Sequence, residues 1–427
     1  MPIKKQYTVK DGDTVSGIAK SNNLSTLQIV TANPQVFTAG RIKKSQELIG
    51  GDYDLIYPGD ILNILSSVVD TFKKAQVLKV DSEDELNIFI DDKKCPLPHE
   101  FELTQHFGSC SDSFSFSYPY SKDLKNPAYS VNIDDFKTKG LPKVRIHIGK
   151  DPALTGDIEV PSNIVTPSAS IQSLAGRSAT YPLEKSDILP AIEREYLNQS
   201  LEQLTSIICN AYSVDFEIDL AAKDQVVQTF VKVTIEDNEK PFMFLSRLCR
   251  ERGLIADKTG SGNFLIRKPV LKEPVAHFVI DSEFITFLGV EQLEFTFDTR
   301  EIYGQYIGKT TTPDDANLEA VVQSKTLSQQ TVKITDYNDA TESNIKSVTE
   351  WEEQKAIKNL YKNSIPFPSW LNPNSGKKWN VEDYITLEFP LSGSEPKLMM
   401  VSTIIFNRPS SEKKTAVLSL IPADSVI

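Results

Sequence analysis

Alternation and helical spacing divide the chain into stretches of different texture. Gln6-Tyr-Thr-Val9 reads as a short strand, and Val15, Ile18 and Ala19 follow at helical spacing. Asp13 is placed to cap a helix from Thr14 to Lys20, with Asn22-Asn23 to end it. Ser25 with Gln28 makes a capping-box pattern, opening a second helix that buries Leu27 and Val30 and stops at Asn33-Pro34. Asp60 to Leu65 then reads as a returning strand. The expected order of this module is β-α-α-β.

From about Asp81 to Thr180 the period changes to two. Leu86 to Ile90, Phe114 to Tyr118 and Val144 to Ile148 alternate apolar and polar positions, with turns at Asn126-Pro127, Lys139-Gly140 and Thr155-Gly156. Glu100 to His106 reads as one further strand, and a small barrel or sandwich is expected. Between Leu183 and Pro269 the pattern is α/β. Ser200 and Gln203 form a second capping box over Leu201, Leu204 and Ile208. Pro241 suits a first helical position before Phe244, Leu245 and Leu248, Gly253 suits the left-handed end, and Leu254-Ile-Ala with Phe264-Leu-Ile makes a hairpin. From Val275 onward the chain is again mainly β, with strands at Leu293–Phe297, Tyr384–Phe389 and Thr415–Leu420. Thr349 with Glu352 reads as a third capping box leading into Trp351, Ile357, Leu360 and Tyr361, and Asp314 to Ser328 as a loop or weakly ordered insertion. The fold class expected is α+β and multi-domain. Its divisions are 1–66, 67–180, 181–274 and 275–427, the last with a helical insertion.

Composition narrows the function. With 427 residues, 40% hydrophobic and 24% charged, the chain is that of a globular protein of several domains. The N-terminal Met-Pro-Ile-Lys-Lys-Gln lacks an apolar run behind its lysines, which argues against a secretory signal. The most apolar stretch, Phe278 to Leu288, is broken by Asp281, Ser282 and Glu283, so membrane insertion is not expected. Four cysteines do not make a disulfide framework and suit a reducing cytoplasm. The net charge of −12 argues against a specific nucleic-acid grip.

Four ordered motifs, Tyr7 to Thr14, Ile18-Ala19, Thr31 to Pro34 and Tyr57 to Leu62, resemble the LysM family. The resemblance implies a glycan groove with Gly12, Asp13 and Thr14 on one wall and Asn33 and Pro34 on the other. A polar stretch from Gly40 to Gln46 makes the link to the last strand longer than is usual and borders that groove. The same surface also suits docking to a neighbouring protein. Further along, Gly176 to Asp187, Leu201 to Leu204, Phe242 to Gly253 with its following hairpin, Met399 to Phe406 and Leu418 to Pro422 are similar to the late control protein D family of tailed-phage hub proteins. Lys240 stands where that family usually has a hydroxyl residue.

The second resemblance implies two tail-tube-like β-barrel domains, at 67–180 and 275–427, flanking a small α/β domain. It implies a homotrimer in a virion tail baseplate, assembled in the host cytoplasm. That ring would join the sixfold tail tube protein to a threefold central spike, beside tape-measure and wedge or sheath-proximal proteins. It implies no enzyme activity and no cofactor. The competing reading is a LysM-targeted protein that binds or degrades peptidoglycan.

Spacing also bears on the remaining candidate chemistry. Cys95, His99, His106 and Cys110 have zinc-ligand residue types but lack a close Cys-x2-Cys pair, so no metal is expected. Gly260-Ser-Gly262 lacks the Lys-Ser/Thr of a phosphate loop and reads as a hairpin turn. Arg177 reads as a structural cation. Arg247, Arg250 and Arg252 suit either a solvated helix end or a partner contact. No catalytic motif is present, and none of the four histidines sits in one.

Overall fold

The computed structural model describes residues 3–11, 13–22, 29, 33, 36, 56–57, 59–65, 84–119, 140–165, 170–310, 318–324, 331–336, 345–390, 394–409 and 413–425. At the N-terminus, β1 (Ile3–Thr8) pairs antiparallel with β2 (Ile61–Leu65), and α1 (Val15–Ser21) packs Val15, Ile18 and Ala19 beneath them. The helix starts one residue later than expected. Thr14, not Asp13, is its cap, accepting a hydrogen bond from the Gly17 amide at 3.0 Å. Of the second expected helix only Ile29 is helical among the described residues, so its cap at Ser25 and Gln28 lies outside them.

The first β run contributes β3 (Leu86–Ile90), β4 (Lys93–Lys94), β5 (Glu100–His106), β6 (Ser113–Pro119), β7 (Lys143–Ile148), β8 (Asp151–Val165) and β9 (Ser170–Ser178). An α/β unit follows: β10 (Glu195–Ser200), α2 (Leu201–Ala211), β11 (Phe216–Ile218), β12 (Thr229–Thr234), α3 (Pro241–Glu251), β13 (Ile255–Lys258) and β14 (Phe264–Arg267). The last run holds β15 (Ala276–Val279), α4 (Ser282–Leu288), β16 (Phe295–Phe297), β17 (Gln305–Lys309), β18 (Glu319–Gln323), β19 (Val332–Asp336), α5 (Ile345–Leu360), β20 (Tyr361–Phe367), β21 (Tyr384–Phe389), β22 (Ser394–Arg408) and β23 (Thr415–Pro422).

Among the described residues the two β runs share a sheet and are not closed into two separate barrels. Their strands join in one thirteen-stranded sheet through the antiparallel pairing of β5 with β22, and among the described residues no closed barrel is formed. A single apolar core explains the merger. Phe101, Phe114 and Phe116 from the first run pack in the same cluster as Phe278, Phe367, Trp370, Trp379 and Phe406 from the last. Ring pairs such as Phe101–Trp370, 5.6 Å apart, and Phe367–Trp379, 5.1 Å apart, tie the two runs. The Trp370 indole N–H donates to the carbonyls of Asn407 and Thr415 at 3.0 and 3.1 Å, so the buried ring leaves no orphan donor.

In the α/β unit the predicted caps are present. The Ser200 and Gln203 box is closed in both directions, Pro241 occupies the first turn of α3, and Gly253 has φ of +65°. Lys240 gives α3 no side-chain cap; its ammonium reaches the Asp187 carboxylate instead. Helices α2 and α3 bury Leu204, Ile208, Phe244 and Leu248 over Phe264 and Ile266.

The Thr349 capping box is absent. Helix α5 is already running at Ile345, and the Thr349 hydroxyl donates back to the Ile345 carbonyl at 2.6 Å. The expected loop between Asp314 and Ser328 contains strand β18, which with β17 and β19 forms a three-stranded sheet under α5. The expected strand at Leu293 begins at Phe295. The stretch from Phe278 to Leu288 is a strand end and a short helix capped by Asp281. Among the described residues no helix is long and apolar enough to cross a membrane.

Gly260, at the tip of the β13–β14 hairpin, meets the large sheet. A Cβ there would lie 2.2 Å from the Pro152 carbonyl oxygen of β8, which is backbone and cannot step aside. Gly260→Ala should therefore lower stability by about 1–3 kcal/mol, in the range of overpacking. A urea midpoint unchanged from the parent chain would show that the hairpin docks elsewhere.

Candidate functional site

Of the five groove residues of the N-terminal module, Asp13, Thr14 and Asn33 are described; Gly12 and Pro34 lie outside the described residues. Asp13 accepts from the Lys10 amide at 2.7 Å and from the Tyr7 hydroxyl at 2.9 Å. Those bonds hold its carboxyl below the usual range, the Lys10 amide most of all, and Asp13 in turn raises the Tyr7 phenol. Thr14 caps α1. Asn33 is buried, donates to the Ile29 carbonyl at 2.6 Å, and offers its own carbonyl to the Val36 amide. Each of the three thus has a local structural bond.

Cys95, His99, His106 and Cys110 divide between environments. Cys95 belongs to the core of the large sheet, whereas Cys110 is buried in the α/β core and donates to the Thr180 carbonyl. Burial pushes both thiols up, opposite to what thiolate ligation asks for. His106 hydrogen bonds with Thr403 at 3.1 Å, and burial lowers its imidazole. Among the described residues no group of three such side chains is placed to hold a metal.

The four arginines singled out above are held internally. Arg177 lies over the Tyr181 ring at 4.6 Å, and Arg250 over Trp351 at 4.3 Å. Arg247 makes paired bonds of 3.0 Å to Glu239, and Arg252 stacks on Phe230 while donating to Gln228 and Thr229.

A buried charge network was not foreseen. Lys258, on β13, places its ammonium 2.8 Å from Asp112 and 3.6 Å from Asp257, and donates to the His106 carbonyl. Arg267, on β14, pairs with Asp257 and, at 2.8 Å, with Glu382; Lys272 reaches Glu382 at 2.7 Å. Asp112 lies between β5 and β6 of the first run, and Glu382 precedes β21 of the last. The network therefore ties the α/β unit to both β runs. Burial outweighs Lys258 at Asp112 and pushes its carboxyl up to about 6. Asp383, beside Glu382, is pushed up to about 6 in the same way.

Two family models match the chain. Residues 190–268 match the second domain of the baseplate hub protein gp44-like family, and residues 7–64 match the LysM domain. The chain carries a baseplate-hub domain and a LysM domain. The matched hub domain begins just before β10 and ends just after β14, so it is the α/β unit that the charge network holds. Solved tail proteins share the fold of this hub-like protein. The 43 kDa tail protein of prophage MuSo2 from Shewanella oneidensis is 20% identical, with a TM-score of 0.66 over 80% of this chain and 99% of that one. The tail protein from Neisseria meningitidis MC58 is 14% identical, with a TM-score of 0.62 over 80% and 98%. No curated protein matches.

Removing the central cation exposes the cost of the network. Lys258→Met should destabilise the hub-like chain by about 3–5 kcal/mol, because Asp112 is left buried without its counter-charge. Equilibrium urea unfolding at neutral pH reads this directly, and a loss below that of an exposed lysine would contradict it. The pH dependence has a fixed sign. Between the ordinary 3.8 and the folded value of about 6, the folded chain binds a proton at Asp112 that the unfolded chain has released. This contribution to stability is full below that window and is lost as pH rises through it. Asp112→Asn should flatten part of the fall, and Asp112→Asn with Asp383→Asn more of it. A melting-temperature profile unchanged in both variants would refute the assignment.

Proposed function

We propose that the chain is the structural hub of a phage-like tail baseplate. It acts as a homotrimer that joins the sixfold tail tube protein to a threefold central spike. Tape-measure and wedge or sheath-proximal proteins are its further neighbours, and its place is in the virion tail. The match of residues 190–268 to a baseplate hub domain carries this reading. The architecture is compatible with it. The matched unit sits between two β runs that share one sheet, and three chains would bring six such runs to a ring. Cyclic closure is the ordinary way for identical chains to satisfy open sheet edges.

The role is structural. A baseplate-hub domain joined to a LysM domain supports a role in binding and assembly. The LysM module serves as a docking piece on a neighbouring tail protein. Its match to LysM favours a second reading, in which Gly12, Asp13, Thr14, Asn33 and Pro34 frame a groove for peptidoglycan.

Light scattering on the chain mixed with its tube and spike proteins should give particles that contain three copies of the chain. A persistent monomer or a hexamer in every mixture would overturn the hub assignment. For the module, the full chain should pass over insoluble peptidoglycan without retention or clearing. Retention abolished by Gly12→Trp would establish the sugar groove instead, and clearing of the wall material would establish a hydrolase.

A further inference from the structure

The α/β unit carries a cavity that the charge network does not use. It lies beside β10 and α2, has a volume of about 570 Å³, and is walled by Leu189, Ile192, Ile207 and Ala211. Cavities of this size and apolar lining are ordinary for specific binding. The walls are fastened in advance. The Tyr212 hydroxyl, just past α2, accepts from the Leu189 amide at 3.0 Å and donates to the Asp187 carbonyl at 2.6 Å. The Ile192 amide turns back onto the Leu189 carbonyl at 2.9 Å. The loop that shapes the cavity is thus held before anything enters it, which lowers the entropy cost of binding.

A second tyrosine of this region spends its hydroxyl differently. Tyr196, on β10, lines the cavity and is 6% exposed, yet its buried hydroxyl has no hydrogen-bond partner among the described residues. Buried polar groups are bonded as a rule, so this one calls for a partner. Burial first, and then the Glu193 carboxylate, push the phenol up, so it stays protonated and able to donate. The group that would satisfy it is an oxygen acceptor. Glu193 is exposed and is the one charged residue among those described in the lining, so the rim favours a cation. At the mouth, Leu189 and Ile207 are 40% and 39% exposed. A small molecule seated inside would leave those apolar lips wet, whereas a segment of another protein covers them.

We propose that this cavity is a docking pocket for a neighbouring protein. It takes a bulky apolar side chain that lies next to a basic residue and brings an oxygen acceptor to Tyr196. The pocket goes beyond the hub reading and stands apart from it. Its failure would leave untouched the count of chains per particle, on which that reading is tested.

A random peptide library screened against the full chain tests the pocket. Enriched peptides should share a Leu, Phe or Tyr beside a Lys or Arg. They should bind Tyr196→Phe about tenfold more weakly than the parent chain, the worth of one hydrogen bond. Binding to Ile207→Lys, which removes an apolar wall and repels the cation, should fall at least as far. Without peptide, Tyr196→Phe should melt no lower than the parent chain, because its hydroxyl has no bond to lose. That measurement separates weak binding from a damaged fold. Enriched peptides indifferent to both substitutions, enrichment of acidic or wholly polar sequences, no enrichment, or a lowered melting temperature in Tyr196→Phe would each overturn the proposal.

Discussion

The ammonium of Lys258 is the point on which the arrangement of the chain turns. It is buried between carboxylates from two elements, and the network continues through Arg267 to Glu382 and Lys272. Charges withdrawn from water are tolerated only when each finds partners of fixed geometry. The α/β unit can therefore sit on the sheet in few ways. A slip of one strand register would strand several charges at once. Apolar packing alone would not impose this, because greasy surfaces accept many offsets at similar energy.

Steric fit reinforces what charge selects. The hairpin carrying Lys258 and Arg267 turns at Gly260 and Gly262, where backbone comes close to β8 and leaves no room for side chains. Below it, the aromatic core holds the two β runs as a single body. On the other flank, the Arg250 stack on Trp351 links the hub domain to α5. The hub domain is thus held on more than one side by contacts of different kinds.

Local features were legible in the sequence. The Ser200–Gln203 box, Pro241, Gly253 and the strands at Leu86–Ile90, Phe114–Tyr118 and Val144–Ile148 depend on residues a few positions apart and lie where the pattern puts them. The turn expected at Thr155-Gly156, in contrast, lies inside β8, and the strand expected from Leu293 begins at Phe295. Thr349 shows the limit of that reading, since a threonine spends its hydroxyl as readily on a carbonyl a turn behind as on an amide ahead. Pairings between distant segments were not legible. Nothing in Glu100 to His106 announces β22 as its neighbour, and two strand runs of like period suggest two barrels as easily as one sheet. The charge network was hidden for a related reason. Asp112, Lys258 and Glu382 are far apart in sequence and individually resemble solvated strand-end charges. Of the groove residues, the resemblance named the module correctly, while their bonds to Lys10, Gly17 and Ile29 could come only from coordinates.

The chain leaves the large sheet at Phe297 and comes back to it at Tyr361, and those two residues are direct partners in the β16–β20 ladder. Everything between them, the three-stranded sheet and the helix laid over it, begins and ends one strand spacing apart. Such a segment is a cassette. It can be lengthened, exchanged or reduced to a tight turn while the ladder on either side keeps its register. Its loss would forfeit the stack on Arg250 but no strand of the aromatic core, so lineages can remodel this outgrowth to suit new neighbours while the frame beneath stays as it is.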